Sequence, residues 1–534
     1  MTPTPASSTL LRWARRAQVQ QIFSSSCRHG HSRWRHLSSS INSSPRSLLT
    51  LAIETSCDDT CVAILEKSGP AARLLFNKKI TSNNIAFRGV HPVTAVESHT
   101  SQLALLVREA LQSLPRSGSG DRASPLSLPV GDAATGETSL RRLPDFISVT
   151  RGPGILSGLG VGLTMAKGLS VAWQVPLVGV HHMQAHALTP RLVHALDQPW
   201  PSSSCSPSPG SPSIPAPPSP SFPFLTLLVS GGHTLLVLSR SLTSHTILAD
   251  KLGVAIGDML DKCGREILPA HATARSSHVM YGAQLEAFAF PASSSSSSPS
   301  QDGPEPMHSY TPPANRGAEI QPLRSRRRDW ALTPPFSMRG RHMAFDFAGL
   351  GGQVQKITQQ WAAAAAAKGT VDGEEDDADR RELAVAAMQL AFEHLASRVV
   401  WALQDVGGTP APPGKDSGEE ARDGEDDNPS AGIRTLVVSG GVASNRFLRR
   451  VLRAVLDARG FGDVAIVAPP VALCTDNAAM IAWTGAEMYE AGWESELDIL
   501  PVRKWSFDPN HEGGGGVLEL GGWRRRGREG NKDS

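Results

Sequence analysis

Three apolar stretches of this chain each run straight into a short turn of small residues. Residues 227–232 and 436–441 both end in Ser-Gly-Gly, and residues 51–59 pass from Leu-Ala-Ile into small and acidic residues. Glycine lets a ligand approach the backbone more closely than any residue with a Cβ allows. One Ser-Gly-Gly usually means only a turn. Two Ser-Gly-Gly turns and the small, acidic turn at 51–59, with Arg-Gly-Pro-Gly at 151–154 opening a helix, indicate a nucleotide site between two lobes.

Strand-like apolar runs alternate with helical patterns along the chain. The strand-like runs lie at 48–53, 146–150, 224–230 and 435–439, and the helical stretches at 98–111, 157–173 and 383–401. This alternation predicts an α/β fold. Segments rich in serine, proline, glycine or acidic residues predict disordered inserts at 114–142, 201–222, 291–328, 369–380 and 405–431.

The N-terminal segment differs in composition from the rest. The first acidic residue of the chain is Glu54, and the residues before it include seven arginines, no lysine and many serines. This composition is typical of a mitochondrial transit peptide, which we expect at residues 1–46. The alternative is an arginine-rich disordered tail.

Charge, cysteine usage and hydropathy set further bounds. Residues 51–534 contain 45 basic and 50 acidic residues, so their net charge is about −5 and nucleic-acid binding has to use local basic patches. The six cysteines form no Cys-x-x-Cys pair, which argues against a disulfide framework or a thiolate zinc site. No apolar run reaches the roughly 20 residues that span a bilayer, so we expect no membrane segment.

His182 and His186 are four residues apart and therefore share one face of a helix. With Asp476 they offer two imidazoles and a carboxylate, a set that suits zinc or iron. The pair alone is weak, because histidines at this spacing also bond ordinary polar groups. The motif lacks the internal Glu that a helical zinc protease uses as a general base.

Taken together, the motifs resemble the tRNA N6-adenosine threonylcarbamoyltransferases, the TsaD-type enzymes, and most of all their mitochondrial branch. The resemblance extends from about residue 48 to 502 and rests on residues 53–58, 152–154, 181–186, 228–234, 261–262, 439–446 and 474–477. Two departures stand out. Asp59 occupies a position where the family usually has Glu, and Gly351 one where it has Lys.

The resemblance implies two ribonuclease-H-like lobes of the actin and sugar-kinase type. The expected organisation is a transit peptide at 1–46, a first lobe at 47–222 on which 474–502 packs back, a second lobe at 223–473 with disordered inserts at about 291–328, 369–380 and 405–431, and a C-terminal tail at 503–534.

The resemblance also implies the site residues. One divalent metal ion per subunit, iron or zinc, would be held by His182, His186 and Asp476. The adenylate would be bound by Leu228, Val229, Ser230, Gly231, Gly232, Asp261, Gly282 and Asn445. Asp58 matches a family acid that orients or deprotonates the attacking amine, the alternative being a carboxylate that bonds turn amides. Asp261 has a simpler alternative as a helix N-cap.

The implied activity is transfer of threonylcarbamoyl from threonylcarbamoyl-AMP to the N6 amine of adenosine 37 in tRNAs that read codons beginning with adenine. A separate synthase would supply the adenylate, a homodimer is one expected assembly, and the mitochondrial matrix is the expected location. Candidates for tRNA contact are the arginines at 324, 326–328, 446–453 and 524–528, the alternative being ordinary solvated basic loops. The competing functions are a non-catalytic nucleotide-binding scaffold subunit and a metalloprotease.

Overall fold

The structure is a computed structural model that describes residues 47–84, 87, 89–117, 127–131, 138–201, 218–273, 281–291, 309–338, 340–368, 377–407, 432–511 and 514–526. Residues 47–534 form one compact unit. The expected transit peptide at 1–46 lies outside the described residues, as do large parts of the expected inserts.

Strands and helices alternate, as the sequence predicts. The strands are β1 Leu48–Glu54, β2 Asp59–Ser68, β3 Ala71–Thr81, β4 Ser127–Gly131, β5 Thr138–Arg142, β6 Phe146–Gly152, β7 Leu177–His181, β8 Phe224–Val229, β9 Thr234–Ser239, β10 His245–Lys251, β11 Leu323–Arg324, β12 Ala331–Leu332, β13 Ala344–Phe345, β14 Thr435–Ser439, β15 Ala465–Val467, β16 Trp493–Ser495 and β17 Trp523–Arg525. The helices are α1 Pro92–Leu111, α2 Leu156–Trp173, α3 His182–Asp197, α4 Ile256–Ile267, α5 Ala270–Thr273, α6 Tyr281–Ala289, α7 Arg316–Glu319, α8 Ala348–Lys368, α9 Asp377–Gly407, α10 Arg446–Ala458, α11 Val471–Cys474 and α12 Ala478–Glu490, with a 3₁₀ turn at Gly441–Ser444.

Two large sheets repeat one strand order. The first sheet runs β17-β16-β7-β6-β1-β2-β3 and the second β13-β10-β9-β8-β14-β15. In each, three consecutive antiparallel strands (β1–β3 or β8–β10) are followed by two that lie parallel to the first of them (β6 and β7, or β14 and β15). This duplication confirms the predicted α/β fold with two ribonuclease-H-like lobes, each built on one sheet.

The strands bury both of their faces. On β1, Leu49, Leu51 and Ile53 pack against the helices α1 and α2 on the outer side of the first lobe. Ala52 points the other way, into a core that α3 and α12 share with strands of both sheets. The two helices that carry or follow the proposed metal ligands therefore lie between the sheets.

The second lobe has its own core, which is centred on α9. This helix is long and apolar enough to cross a membrane by length and composition alone, but most of that stretch is buried inside the protein. It packs against α4, α6 and α10, as the core helix of a folded domain does.

Parts of the predicted inserts are folded, which corrects the sequence-based boundaries. Residues 309–338 include α7 and the β11–β12 hairpin, and the Tyr310 hydroxyl donates to Glu393 on α9 at 2.9 Å. Residues 377–380 and 405–407 belong to α9 itself, and β4 pairs with β5 inside the segment 114–142. The described part of the expected tail is also anchored, because Trp505 and Phe507 are buried and β17 joins the first sheet.

Candidate active site

The two histidines lie in the first two turns of α3. His181, the last residue of β7, caps this helix, because its Nδ1 accepts from the backbone N–H of Met183 at 3.2 Å and of Gln184 at 3.4 Å. His182 and His186 therefore sit on one face of α3, with their ring centroids 4.7 Å apart. Both are buried.

Asp476 reaches the histidines from a distant part of the chain. It lies in the short link between α11 and α12. The next residue, Asn477, caps the N-terminus of α12 by accepting from the Met480 N–H at 2.9 Å. Oδ1 of Asp476 is 3.4 Å from Nε2 of His182 and 3.1 Å from Nε2 of His186. The three candidate ligand atoms all lie within 4.8 Å of one another. Two imidazole nitrogens and one carboxylate, with further coordination positions left for water or substrate, fit zinc or iron.

Glu54 orients the first of these histidines. Its Oε2 lies 3.0 Å from Nδ1 of His182, which leaves Nε2 to face Asp476. The carboxylate is fully buried and accepts from the Thr150 hydroxyl and the Ser56 N–H, both at 2.5 Å. A carboxylate behind a metal-binding histidine fixes the tautomer and direction of the ring.

The charges of this cluster are interdependent. Burial would lower the pKa of His182, but Glu54 and Asp476 raise it to about 10. Burial would raise the pKa of Asp476, but His182 and His186 hold it well below its usual range. Burial would likewise raise the pKa of Glu54, but the interaction with His182 leaves that pKa lowered. The two buried carboxylates therefore call for positive charge beside them, which a proton on His182 supplies and which a divalent cation would supply in its place.

The turn that follows β8 forms the floor of the predicted nucleotide site. The side chains of Leu228 and Val229 are buried, so only their backbones are available to a ligand. The Ser230 N–H donates to the His233 carbonyl at 2.8 Å, and its hydroxyl accepts from the His233 N–H at 3.0 Å. Gly231 and Gly232 are exposed, with open space where a Cβ would stand.

Two further glycines bring neighbouring segments into backbone contact with this turn. Gly440, in the second Ser-Gly-Gly, has φ +97°, and a Cβ there would lie 2.4 Å from the Val229 carbonyl oxygen. A Cβ on Gly257, in the first turn of α4, would lie 2.7 Å from the Ser230 carbonyl oxygen. Both glycine turns and the start of α4 therefore meet at the carboxyl ends of β8 and β14.

The remaining predicted nucleotide contacts lie on helices next to this floor. On α4, Oδ1 of Asp261 accepts from the Gly282 N–H at 2.7 Å, which brings these two predicted residues together. Burial raises the pKa of Asp261. Asn445 caps α10, accepting from the Leu448 N–H at 2.9 Å. Glu286 on α6 accepts from the N–H groups of Arg446 and Phe447 at the start of α10. These bonds join α6 to α10.

Asp58 lies in the turn between β1 and β2. Its Oδ2 accepts from Nδ2 of Asn84 at 3.2 Å, and its backbone carbonyl accepts from the Ser82 N–H at 2.9 Å. His99 on α1 is fully buried and braces the same turn. It lies 2.8 Å from the Thr60 hydroxyl and 3.1 Å from the Cys57 carbonyl.

Sequence reasoning missed two functional candidates, Glu54 and His233. Glu54 ends β1, which pairs in parallel with β6, and β6 pairs in parallel with β7. Because parallel strands end at the same edge of a sheet, this order could have placed Glu54 near α3, which follows β7. His233 follows the Ser-Gly-Gly turn. Burial, then nearby His182 and Lys251, lower its pKa to about 4, so it stays neutral next to the proposed metal ligands.

Several candidate tRNA-binding arginines have partners within the protein. Arg327 and Arg328 both bind Asp379, the former at 2.7 Å. Arg524 binds Glu494 at 2.9 Å and Arg526 stacks on the Tyr489 ring. Because two arginines share the Asp379 carboxylate, that contact keeps one uncompensated positive charge.

The fold and the candidate site define a class of protein: a two-lobed α/β protein in which glycine turns offer open backbone to a ligand and a His-His-Asp group could hold a metal ion. The family model described as TsaD, tRNA N6-adenosine threonylcarbamoyltransferase, matches residues 129–206, 211–308 and 313–483. The mitochondrial tRNA N6-adenosine threonylcarbamoyltransferase of Schizosaccharomyces pombe is 30% identical, over 90% of this chain and 89% of its own length. A relative of the same activity from Brucella anthropi is 28% identical over 86% of this chain and 95% of its own.

Among solved structures, HypF of T.kodakarensis matches with a TM-score of 0.38 and 11% identity, and this chain spans about half (48%) of its length. That likeness is distant. The family match is far closer: this chain belongs to the tRNA N6-adenosine threonylcarbamoyltransferase family and is a transferase that acts in tRNA threonylcarbamoyladenosine modification.

Proposed function

We propose that this chain transfers threonylcarbamoyl from threonylcarbamoyl-AMP to the N6 amine of adenosine 37 in tRNAs that read codons beginning with adenine, within the mitochondrial matrix. The observation that carries the proposal is the meeting of Asp476 with His182 and His186 between the two sheets. The turn proposed as the nucleotide floor follows β8, and Leu228 at its start lies in the same buried core as Met183 and Ala185 of α3.

In this proposal the backbone of residues 228–232 approaches the phosphate and acyl end of the adenylate, and Asp261 accepts from its ribose hydroxyls. A metal held by His182, His186 and Asp476 would polarise the acyl or phosphate oxygens as a Lewis acid. The N6–carbon bond forms as the carbon–oxygen bond to phosphate breaks, and AMP leaves with the electron pair. Asp58 orients the amine or takes its proton, and alignment of the two substrates supplies much of the remaining rate.

The location and partners belong to the same proposal. The relative from S. pombe is described as mitochondrial, and the first 53 residues of this chain are arginine-rich and free of acidic residues. We infer that a separate synthase supplies the adenylate, and a homodimer is one expected assembly.

The test combines the full chain with unmodified tRNA, threonylcarbamoyl-AMP and zinc or iron, followed by mass analysis of the digested nucleosides. His182→Ala is the test variant and His194→Ala the control, because His194 lies on the same helix outside the metal triad. Threonylcarbamoyladenosine formed by the wild type and by His194→Ala, but not by His182→Ala, supports the proposal.

Two results would favour the competing functions. Bound metal and adenylate without any modified nucleoside would indicate a scaffold subunit that needs partners. Peptide cleavage that disappears in His182→Ala would indicate a metalloprotease.

A further inference from the structure

An aromatic pair stands at the start of α1. The rings of Phe87 and His91 are stacked with their centroids 3.9 Å apart and their planes only 8° from parallel. Phe87 is 52% exposed. His91 covers one face of the ring, and about half of the residue's surface is still exposed. A flat aromatic surface open to solvent is suited to stack a planar ligand.

The pair is held in place by the cap of α1. His91 is the N-cap residue, and its Nδ1 lies 3.0 Å from the Thr94 hydroxyl and accepts from the Thr94 N–H at 3.4 Å. Pro92 begins the helix with a fixed φ. The Phe87 N–H donates to the Asn84 carbonyl at 3.0 Å. The Phe87 ring is therefore a preorganised surface.

Asn84 joins this pair to the proposed amine-binding acid. Its Nδ2 donates to Oδ2 of Asp58 at 3.2 Å, and its Oδ1 accepts from the His91 N–H at 3.2 Å. Asp58 follows Glu54 and Ser56, whose side chains both lie next to Nδ1 of His182. One side chain thus connects the exposed aromatic surface to the turn that borders the metal triad.

We propose that the open face of Phe87 stacks a nucleobase of the tRNA loop and holds the acceptor amine next to Asp58. This inference rests on the proposed function. An adenine that reacts in a site between two lobes has to leave the stack of its own loop, and stacking on an aromatic ring replaces the contacts it loses. A protein partner that covers Phe87 is the competing occupant. The near-parallel ring stack and the link to Asp58 favour the base.

The test compares Phe87→Leu, which keeps apolar volume but removes the π surface, with Phe87→Trp, which enlarges that surface. Val93→Ala is the control, because Val93 is an exposed apolar residue of the same helix start and lies outside the ring pair. The full chain is assayed for kcat and for KM toward tRNA and toward the adenylate. A second readout is the fluorescence of 2-aminopurine placed at the acceptor position of an anticodon stem-loop, since stacking on an aromatic ring quenches it.

Phe87→Leu is expected to raise the KM for tRNA about tenfold and to leave the KM for the adenylate and the melting temperature unchanged. Phe87→Trp and Val93→Ala should match the wild type, and 2-aminopurine should be quenched by wild type and brighter with Phe87→Leu. Equal KM values and equal fluorescence for Phe87→Leu and wild type would overturn the inference. So would loss of self-association or partner binding with an unchanged KM for tRNA.

The fluorescence readout needs no turnover, so the two proposals fail separately. A wild type that forms no modified nucleoside but quenches 2-aminopurine through Phe87 refutes the proposed transfer and keeps the base-stacking surface. Normal transfer by Phe87→Leu keeps the proposed transfer and refutes the base-stacking surface.

Discussion

Lys79 Nζ lies 3.0 Å from the hydroxyl of Thr475, the residue before the proposed metal ligand Asp476. The same ammonium is 3.0 Å from Oδ2 of Asp59, whose other oxygen accepts from Thr81. Burial would lower the pKa of Lys79, but Asp59 raises it, so the lysine remains charged. Strand β3 thereby holds the link that carries Asp476 into the candidate site.

Lys79→Met is therefore expected to weaken metal binding about tenfold, because the Asp476 link loses its contact with β3. Competition with a chelator measures the affinity. Lys78→Met is the matched control, since Lys78 is the adjacent residue and pairs with Glu109 on α1 instead. Lys79→Arg should recover part of the affinity. The same affinity in the Lys79→Met and Lys78→Met variants would show that the contact does not position Asp476.

Glu54→Gln should lower metal affinity by roughly 10- to 100-fold while leaving the fold intact. The amide keeps the volume of the side chain, but it removes the buried negative charge that holds Nδ1 of His182. Metal content after dialysis against a chelator series gives the change. Glu66→Gln on β2 is the control, because Glu66 pairs with Arg142 away from the site. Retention of wild-type affinity in Glu54→Gln would contradict this role.

The sequence predicted those features that depend on neighbours along the chain. Apolar runs ending in glycine marked β8 and β14, and the spacing of His182 and His186 placed both on one face of α3. Asp476 could be named as a candidate third ligand, but no local pattern shows that it meets His186, which lies 290 positions away.

The rest depended on contacts between distant segments. Glu54 joins the site because β1, β6 and β7 end at the same edge of a sheet. Residues 309–328 have the composition of an insert, yet Tyr310 bonds Glu393 and Arg327 binds Asp379. Composition reports how much apolar surface a segment can bury, but it does not report which distant partner anchors it.

The burial of Glu393 makes the stability of the second lobe depend on pH. Burial raises the pKa of Glu393 from 4.5 to about 7. Between these values the unfolded chain releases the proton and the folded chain keeps it, so the free energy of unfolding falls as pH rises. The fall is at most about 3 kcal/mol and is complete just above pH 7.

Glu393→Gln should abolish this fall, because an amide accepts from Tyr310 without titrating. Urea unfolding at pH 5 and at pH 8 measures the difference. Glu382→Gln on the same helix, whose carboxylate bonds Ser325 near the surface, is the control and should keep the pH dependence. An unaltered slope in Glu393→Gln would place the titrating group elsewhere.

Gly257→Ala tests the nucleotide floor. The added Cβ would lie 2.7 Å from the Ser230 carbonyl oxygen and 2.8 Å from the Cα of Gly231, and both are backbone atoms that cannot rotate away. The first turn of α4 and the Ser-Gly-Gly turn therefore have to separate, at a cost of about 1–3 kcal/mol in stability. Adenylate affinity, measured by calorimetry with a non-hydrolysable analogue, should fall at least tenfold. Gly253→Ala, four residues earlier and with nothing within 4 Å of its Cβ, should bind normally. Equal affinities in the two variants would mean that the adenylate does not lie on this floor.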